Sequence, residues 1–164
     1  MDKSQTPMEA LLQILQDSLE KKIGLLATIE EKSKEQEKII KKENFTLQEL
    51  DENMEEKSRL IDQLSLLDNG FETLYEKIRE ELLANKEYYR VQIEEIQNLI
   101  VEVTARGASI EAIEARNKVA IEAYFSREKK ELQKRKNVSG VARSYYQTAK
   151  QLNNVTPQFL DMKK

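Results

Sequence analysis

The spacing of the apolar residues constrains this chain more than any other feature. Between Glu55 and Leu83 they recur every three or four positions, at Leu60/Ile61, Leu64, Leu67, Phe71, Leu74/Tyr75, Ile78 and Leu82. That period follows the turn of an α-helix and draws one buried stripe along it, with Glu, Lys and Arg on the other faces. The regularity is interrupted once, at Asp68-Asn69-Gly70, where three turn-prone residues stand together. A kink or a helix restart is expected there, with Asn69 as cap and Glu72 as its partner.

Stripes of the same kind lie on both sides. Thr6-Pro7-Met8-Glu9 is a helix start, with Thr6 as N-cap, Pro7 at the first helical position and Glu9 completing a capping box. The stripe that follows is Met8, Leu12, Leu15, Leu19, Lys22, Leu26 and Ile29, weakening through Ser33 and Gln36 before Ile40. Lys22 fits such a seam if its stem lies on apolar surface while the ammonium reaches water. After a break near Glu43-Asn44, Thr46 and Glu49 form a second capping box, flanked by Phe45 and Leu50 in staple positions. Leu47, Leu50, Met54, Lys57, Ile61 and Leu64 continue from it, and the short connection makes the first two helices antiparallel neighbours. The residues after the interruption, Phe71 to Asn85, read as a third segment, and Lys86 to Tyr89 as either a joint or continuous helix. The longest stripe is Tyr89, Ile93, Ile96, Ile100, Val103, Gly107, Ile110, Glu114, Asn117, Ile121 and Tyr124, in a helix running to about Lys136.

Composition agrees with that reading. Charged residues make up 35% of the 164, aromatics 6%, and there are only four Gly and two Pro. The expected fold is all-α: an elongated antiparallel bundle or coiled coil of three to four long helices with a mobile C-terminal tail. Residues 1–136 form the helical domain and 137–164 the tail, with a short helix around Ala142 to Leu152 as one option.

The chemistry available is narrow. With neither Cys nor His, disulfides, thiolate catalysis and imidazole chemistry are excluded, and no metal or cofactor is expected. Adjacent carboxylates such as Glu30/Glu31, Glu55/Glu56 and Glu94/Glu95 point to different sides of a helix and cannot act together as acid and base. The chain reads as a non-enzyme. A net charge of −3, interleaved along the helices, offers no concentrated basic face for nucleic acid. The basic run Arg127–Lys136 complements a helix C-terminus. No segment approaches a membrane span, and the expected location is the cytoplasm.

Two features stand out as candidate binding residues. Glu114 and Asn117 occupy stripe positions where apolar residues are expected, either as a pair fixing helix register or as a hydrogen-bonding site for a partner. The tail carries Tyr145, Tyr146, Phe159 and Leu160, apolar groups of the kind that anchor a partner, the alternative being that they fold back on the helices.

MEALLQILQDSLEKKIGLLATIEEKSKEQ, EEKSRLIDQLSLLDNGFETLYEKI with its D-x-G-F step, IEARNKVAIEAYF with its E-x-R-N element, and the ending Tyr145 to Lys164 with FLDMKK span almost the whole chain. Together they resemble the flagellar type III export chaperones of the FlgN type, the ending resembling its Firmicutes-type members. The resemblance implies a small acidic cytosolic chaperone that binds hook–filament junction proteins, keeps them unassembled and delivers them to the flagellar export apparatus. It further implies a client-binding C-terminal segment, here Val141, Tyr145, Tyr146, Leu152, Val155, Phe159 and Leu160. The rival reading is a cytoplasmic coiled-coil scaffold that homo-oligomerises through the stripes. Weak seam positions at Lys22, Ser33, Gln36, Lys57, Glu114 and Asn117 count against a long two-stranded coil and favour a bundle.

Overall fold

A computed structural model describes residues 6–131. The described residues are all-helical, in three long helices: α1 (Pro7–Lys41), α2 (Leu47–Ala84) and α3 (Arg90–Glu131). Both expected starts are present. The Thr6 hydroxyl accepts from the Glu9 backbone N–H at 3.1 Å. The return bond that would complete a capping box is not formed there among the described residues. At Thr46 the box is complete, with the Glu49 N–H donating to the hydroxyl and the Thr46 N–H donating to the Glu49 carboxylate. Each orphaned N–H satisfied this way is worth about 1 kcal/mol. Lys38 and Lys41 in the last turn of α1 complement its dipole.

Two expectations about breaks are settled. The helix does not restart at Asp68-Asn69-Gly70: α2 runs through these residues with no positive-φ position. Asp68 does not serve as a local cap because its carboxylate is drawn inward to Lys22. The joint lies instead at residues 85–89, a turn between α2 and α3 in which the Asn85 side-chain amide donates to the Glu81 carbonyl. The third and fourth helical segments expected from the sequence therefore reduce to the second half of α2 and to α3.

The α1 stripe is buried from Met8 to Ile29, then through Ser33 and Gln36, ending on Ile39 rather than Ile40. In α2 the buried line is Leu50, Met54, Lys57, Ile61, Leu64, Asp68, Phe71, Ile78 and Leu82. Leu47 is exposed, and Asp68 holds the seam position expected for Leu67, which is half-buried. A side chain that finds an opposite charge inside wins the seam over a neighbouring leucine. In α3 the buried positions follow the expected stripe from Tyr89 to Ile121, with Ile93 and Tyr124 half-buried and Ile113 buried as well.

α1 is the common partner. Lys22 pairs with Asp68 and Lys32 with Glu56, so α1 and α2 are antiparallel. Ser109 pairs with Glu30 and Asn117 with Gln36, offsets of 79 and 81 residues, so α3 runs parallel to α1. α2 and α3 make no close backbone approach to each other among the described residues and meet only through side chains. The main apolar core fills the α1–α2–α3 interior. A smaller cluster of Leu50, Met54 and Ile121, with Ile40, Phe45 and Phe125 against it, closes the end where α1 turns into α2. There Phe45 lies 4.7 Å ring to ring from Tyr124.

The assigned α2 face is open to a direct check by chemical denaturation. Leu64 is 0% exposed and Leu66 is 72% exposed. Leu64→Ala is expected to lower stability by about 2–5 kcal/mol. Leu66→Ala should stay within about 0.5 kcal/mol. Equal effects would mean that the helix is rotated from the face described.

Candidate functional site

The polar residues inside the stripes build two layers. In the first, the Lys22 ammonium, 2% exposed, sits 2.9 Å from the Asp68 carboxylate. Lys22 does not reach water as its side-chain length allows, because an acidic partner is available within the seam. Burial outweighs the mutual attraction of the pair: it pushes Asp68 up to about 6 and Lys22 down to about 8, both toward their neutral forms.

The second layer joins all three helices. The Lys57 ammonium from α2 lies 2.6 Å from Glu114 of α3 and also donates to the Gln36 side-chain carbonyl of α1. Ser33 of α1 donates to the same Glu114 oxygen at 2.5 Å. Asn117 donates to the Ser33 backbone carbonyl at 2.9 Å and to Gln36 Oε1 at 3.2 Å. Asn53 donates to the Lys32 carbonyl at 2.9 Å. Burial pushes the Lys57 ammonium down, against the pull of Glu114. Around this layer, exposed pairs bridge the helices: Arg116 with Glu37 at 3.1 Å, and Lys32 with Glu56 at 2.5 Å. The Arg116 guanidinium holds the Glu37 carboxyl below the usual carboxylate range. Such exposed pairs contribute little to stability.

Glu114 and Asn117 are therefore brought together, buried and turned toward α1 and α2, with their hydrogen-bonding capacity directed within the chain. The other candidate residues, Val141, Tyr145, Tyr146, Leu152, Val155, Phe159 and Leu160, lie outside the described residues. Among the described residues no group of three or more acidic side chains is placed to hold a metal ion, and no helix is long and apolar enough to cross a membrane.

Sequence reasoning passed over a surface between α1 and α2. An open groove of about 580 Å³ is lined by Ile14, Leu15, Ser18 and Lys21 on one wall and Leu66, Leu67, Gly70 and Leu74 on the other. A second hollow of about 430 Å³ continues it past Gly24, Leu25 and Thr28, sharing Lys21, Gln63 and Leu67. No α3 residue lines either part. Ile14 is 53% exposed and Leu66 72% exposed. A Cβ added at Gly24 or at Gly70 would meet nothing within 4 Å. Each glycine costs its helix about 1 kcal/mol relative to Ala, and no packing contact requires it. The exposed Leu66 beside a turn-like Asp68-Asn69-Gly70 is the sequence signal that could have marked the place.

The Lys22–Asp68 pair generates the next expectation. Asp68→Ala leaves a buried ammonium without its partner and should cost about 3–5 kcal/mol, whereas Lys22→Met with Asp68→Leu should be neutral or stabilising by about 1–4 kcal/mol. The pH dependence has a defined sign. Folded Asp68 keeps a proton up to about pH 6 that the unfolded chain loses near its ordinary value of 3.8. At this group stability therefore falls as pH rises through that window. The advantage of the double variant over the natural chain should shrink between pH 7 and about 4.5 in parallel denaturation series. A pH-independent difference would contradict the buried, polarised pair. Comparison with protein-family models, with curated proteins and with solved structures finds no match to this chain.

Proposed function

We propose that this chain is a cytosolic chaperone of flagellar export. In this reading it binds hook–filament junction proteins, holds them unassembled and hands them to the export apparatus. The observation that carries the reading is the division between interior and surface. The buried ionisable side chains Lys22, Asp68, Lys57 and Glu114 all face one another within the chain. What the helices turn outward is charge-covered surface with an apolar groove, suited to binding rather than to catalysis. The assignment to flagellar clients rests on the sequence resemblance described above. Its D-x-G-F step contains Asp68, and its E-x-R-N element contains Glu114, Arg116 and Asn117, so both elements coincide with the layers that set how the helices meet.

Client capture is assigned to the C-terminal segment as a mobile tail. Val141, Tyr145, Tyr146, Leu152, Val155, Phe159 and Leu160 would cover the amphipathic end of a client whose exposure drives polymerisation. Release at the export gate would follow from mass action, with no nucleotide. The rival reading, a homo-oligomeric coiled-coil scaffold, needs the same stripes for a second chain. In the described residues those stripes already face α1 or are faced by it.

Isothermal titration of the full chain with the terminal segments of the same organism's hook–filament junction proteins tests the proposal. Saturable binding is expected, weakened at least about tenfold, or about 1.4 kcal/mol, in a Tyr145→Ala/Tyr146→Ala/Phe159→Ala variant. Binding by both proteins alike would keep the function and remove the tail from it. No binding by the natural chain would overturn the client assignment.

A further inference from the structure

We infer that the groove between α1 and α2 is a docking site for one amphipathic helix of a partner protein, seated with an acidic residue over Lys21. Size argues for a single helix. The groove runs from Ile14 to Thr28 along α1, about 21 Å at 1.5 Å per residue, which is the length of a helix of about four turns. Its width is that of one helix, so the footprint is on the order of a few hundred Å², well below the roughly 800 Å² per partner that a stable dimer buries. A second copy of this chain would leave most of its contact unformed there.

The lining argues for how that helix sits. Ile14, Ser18, Lys21, Leu25 and Thr28 repeat at helical spacing on one wall, facing Leu66, Leu67 and Leu74 on the other. Apolar side chains at i, i+3/i+4 and i+7 of an incoming helix fit such a trough. Gly24 and Gly70 leave open space, one on each helix. A glycine in a wall lets an incoming backbone approach closely, and it is there that these two residues repay the helical stability they sacrifice.

Charge decides which helix. Lys21 lines both parts of the groove and makes no ion pair among the described residues, whereas its neighbour Asp17 already accepts from the Gln13 amide. An ammonium between apolar walls favours a carboxylate arriving with the partner. The chain's own C-terminal residues fit poorly. From residue 132 to residue 160 they contain no acidic side chain, and the cations there include Arg143 and Lys150.

The identity of the partner rests on the proposed chaperone function, but the groove can be tested apart from it. The full chain has no Cys, so Gly70→Cys carries a single environment-sensitive fluorophore. Two probes are titrated: the junction-protein terminal segments, and a synthetic amphipathic helical peptide of about four turns with glutamates flanking its apolar stripe. Both are expected to shift the label. Leu66→Glu should weaken both at least tenfold. Lys21→Glu should weaken the acidic peptide and restore binding to the same peptide with lysines in place of glutamates. A shift by the synthetic peptide alone, with no client binding by calorimetry, would retain the groove and overturn the chaperone reading. Client binding that neither shifts the label nor responds to Leu66→Glu would retain the chaperone reading and overturn the groove. The groove proposal also fails if no probe shifts the label, or if the label responds to the chain's own concentration. It fails again if Tyr145→Ala/Tyr146→Ala changes the label with no probe present, since the chain's own C-terminal residues would then be the occupant.

Discussion

The structure depends on one interaction above the others: a lysine from α2 placed inside the seam and held there by an acid from α3 and an amide from α1. Apolar stripes alone are permissive. Sliding one helix past another by three or four residues returns leucine to leucine, at little loss of buried area. The Lys57–Glu114 pair, with Ser33, Gln36 and Asn117 around it, removes that freedom. A slip by one turn would leave a buried ammonium and a buried carboxylate apart, and an unpaired buried charge costs several kcal/mol. The Lys22–Asp68 pair, at a second height along α1, fixes the same register between α1 and α2 independently. The layers are specificity devices first, since well-packed apolar residues would stabilise the same seam as much or more.

This arrangement explains the position of α1. Polar side chains of both other helices converge on it, Asn53 and Lys57 from α2 and Asn117 and Glu114 from α3. α2 and α3 are each held to α1 without approaching one another closely. A hub with two arms leaves longer open flanks than a symmetric bundle. The α1–α2 flank turned away from α3 is the one where apolar side chains and two unpacked glycines lie together. Binding capacity thus follows from topology rather than from a dedicated pocket. The interior, fully committed to its own ion pairs, offers no chemistry to a substrate.

Much of this was legible in the sequence, and the failures share one cause. The stripe of α3 from Tyr89 to Tyr124 could be read residue by residue, because helical periodicity is a local property. So could the caps at Thr6 and Thr46, whose geometry involves only neighbouring residues. Lys22, Ser33, Gln36, Lys57, Glu114 and Asn117 were recognisable as polar intrusions in apolar seams. Which of them pair was not, because that depends on the offset between helices, and periodic stripes do not encode an offset. Asp68 shows the consequence. Beside Asn69 and Gly70 it has the local chemistry of a turn, yet Lys22, forty-six positions away in sequence, keeps it helical and inward. The groove was hidden for the same reason, since Ile14 and Leu66 acquire meaning only once α1 and α2 are laid side by side.

The most direct test of this account is a distance measurement by double electron–electron resonance. Spin labels at the exposed positions Glu31 on α1 and Ala112 on α3 can be introduced cleanly, since the chain has no Cys. The natural seam should give one narrow distance distribution. With Lys57→Met and Glu114→Leu, further populations should appear, displaced by about one helical turn, roughly 5 Å along the axis. A single narrow distribution at the same distance in both proteins would contradict the claim that the buried charges set the register, and would assign that task to the shapes of the apolar side chains.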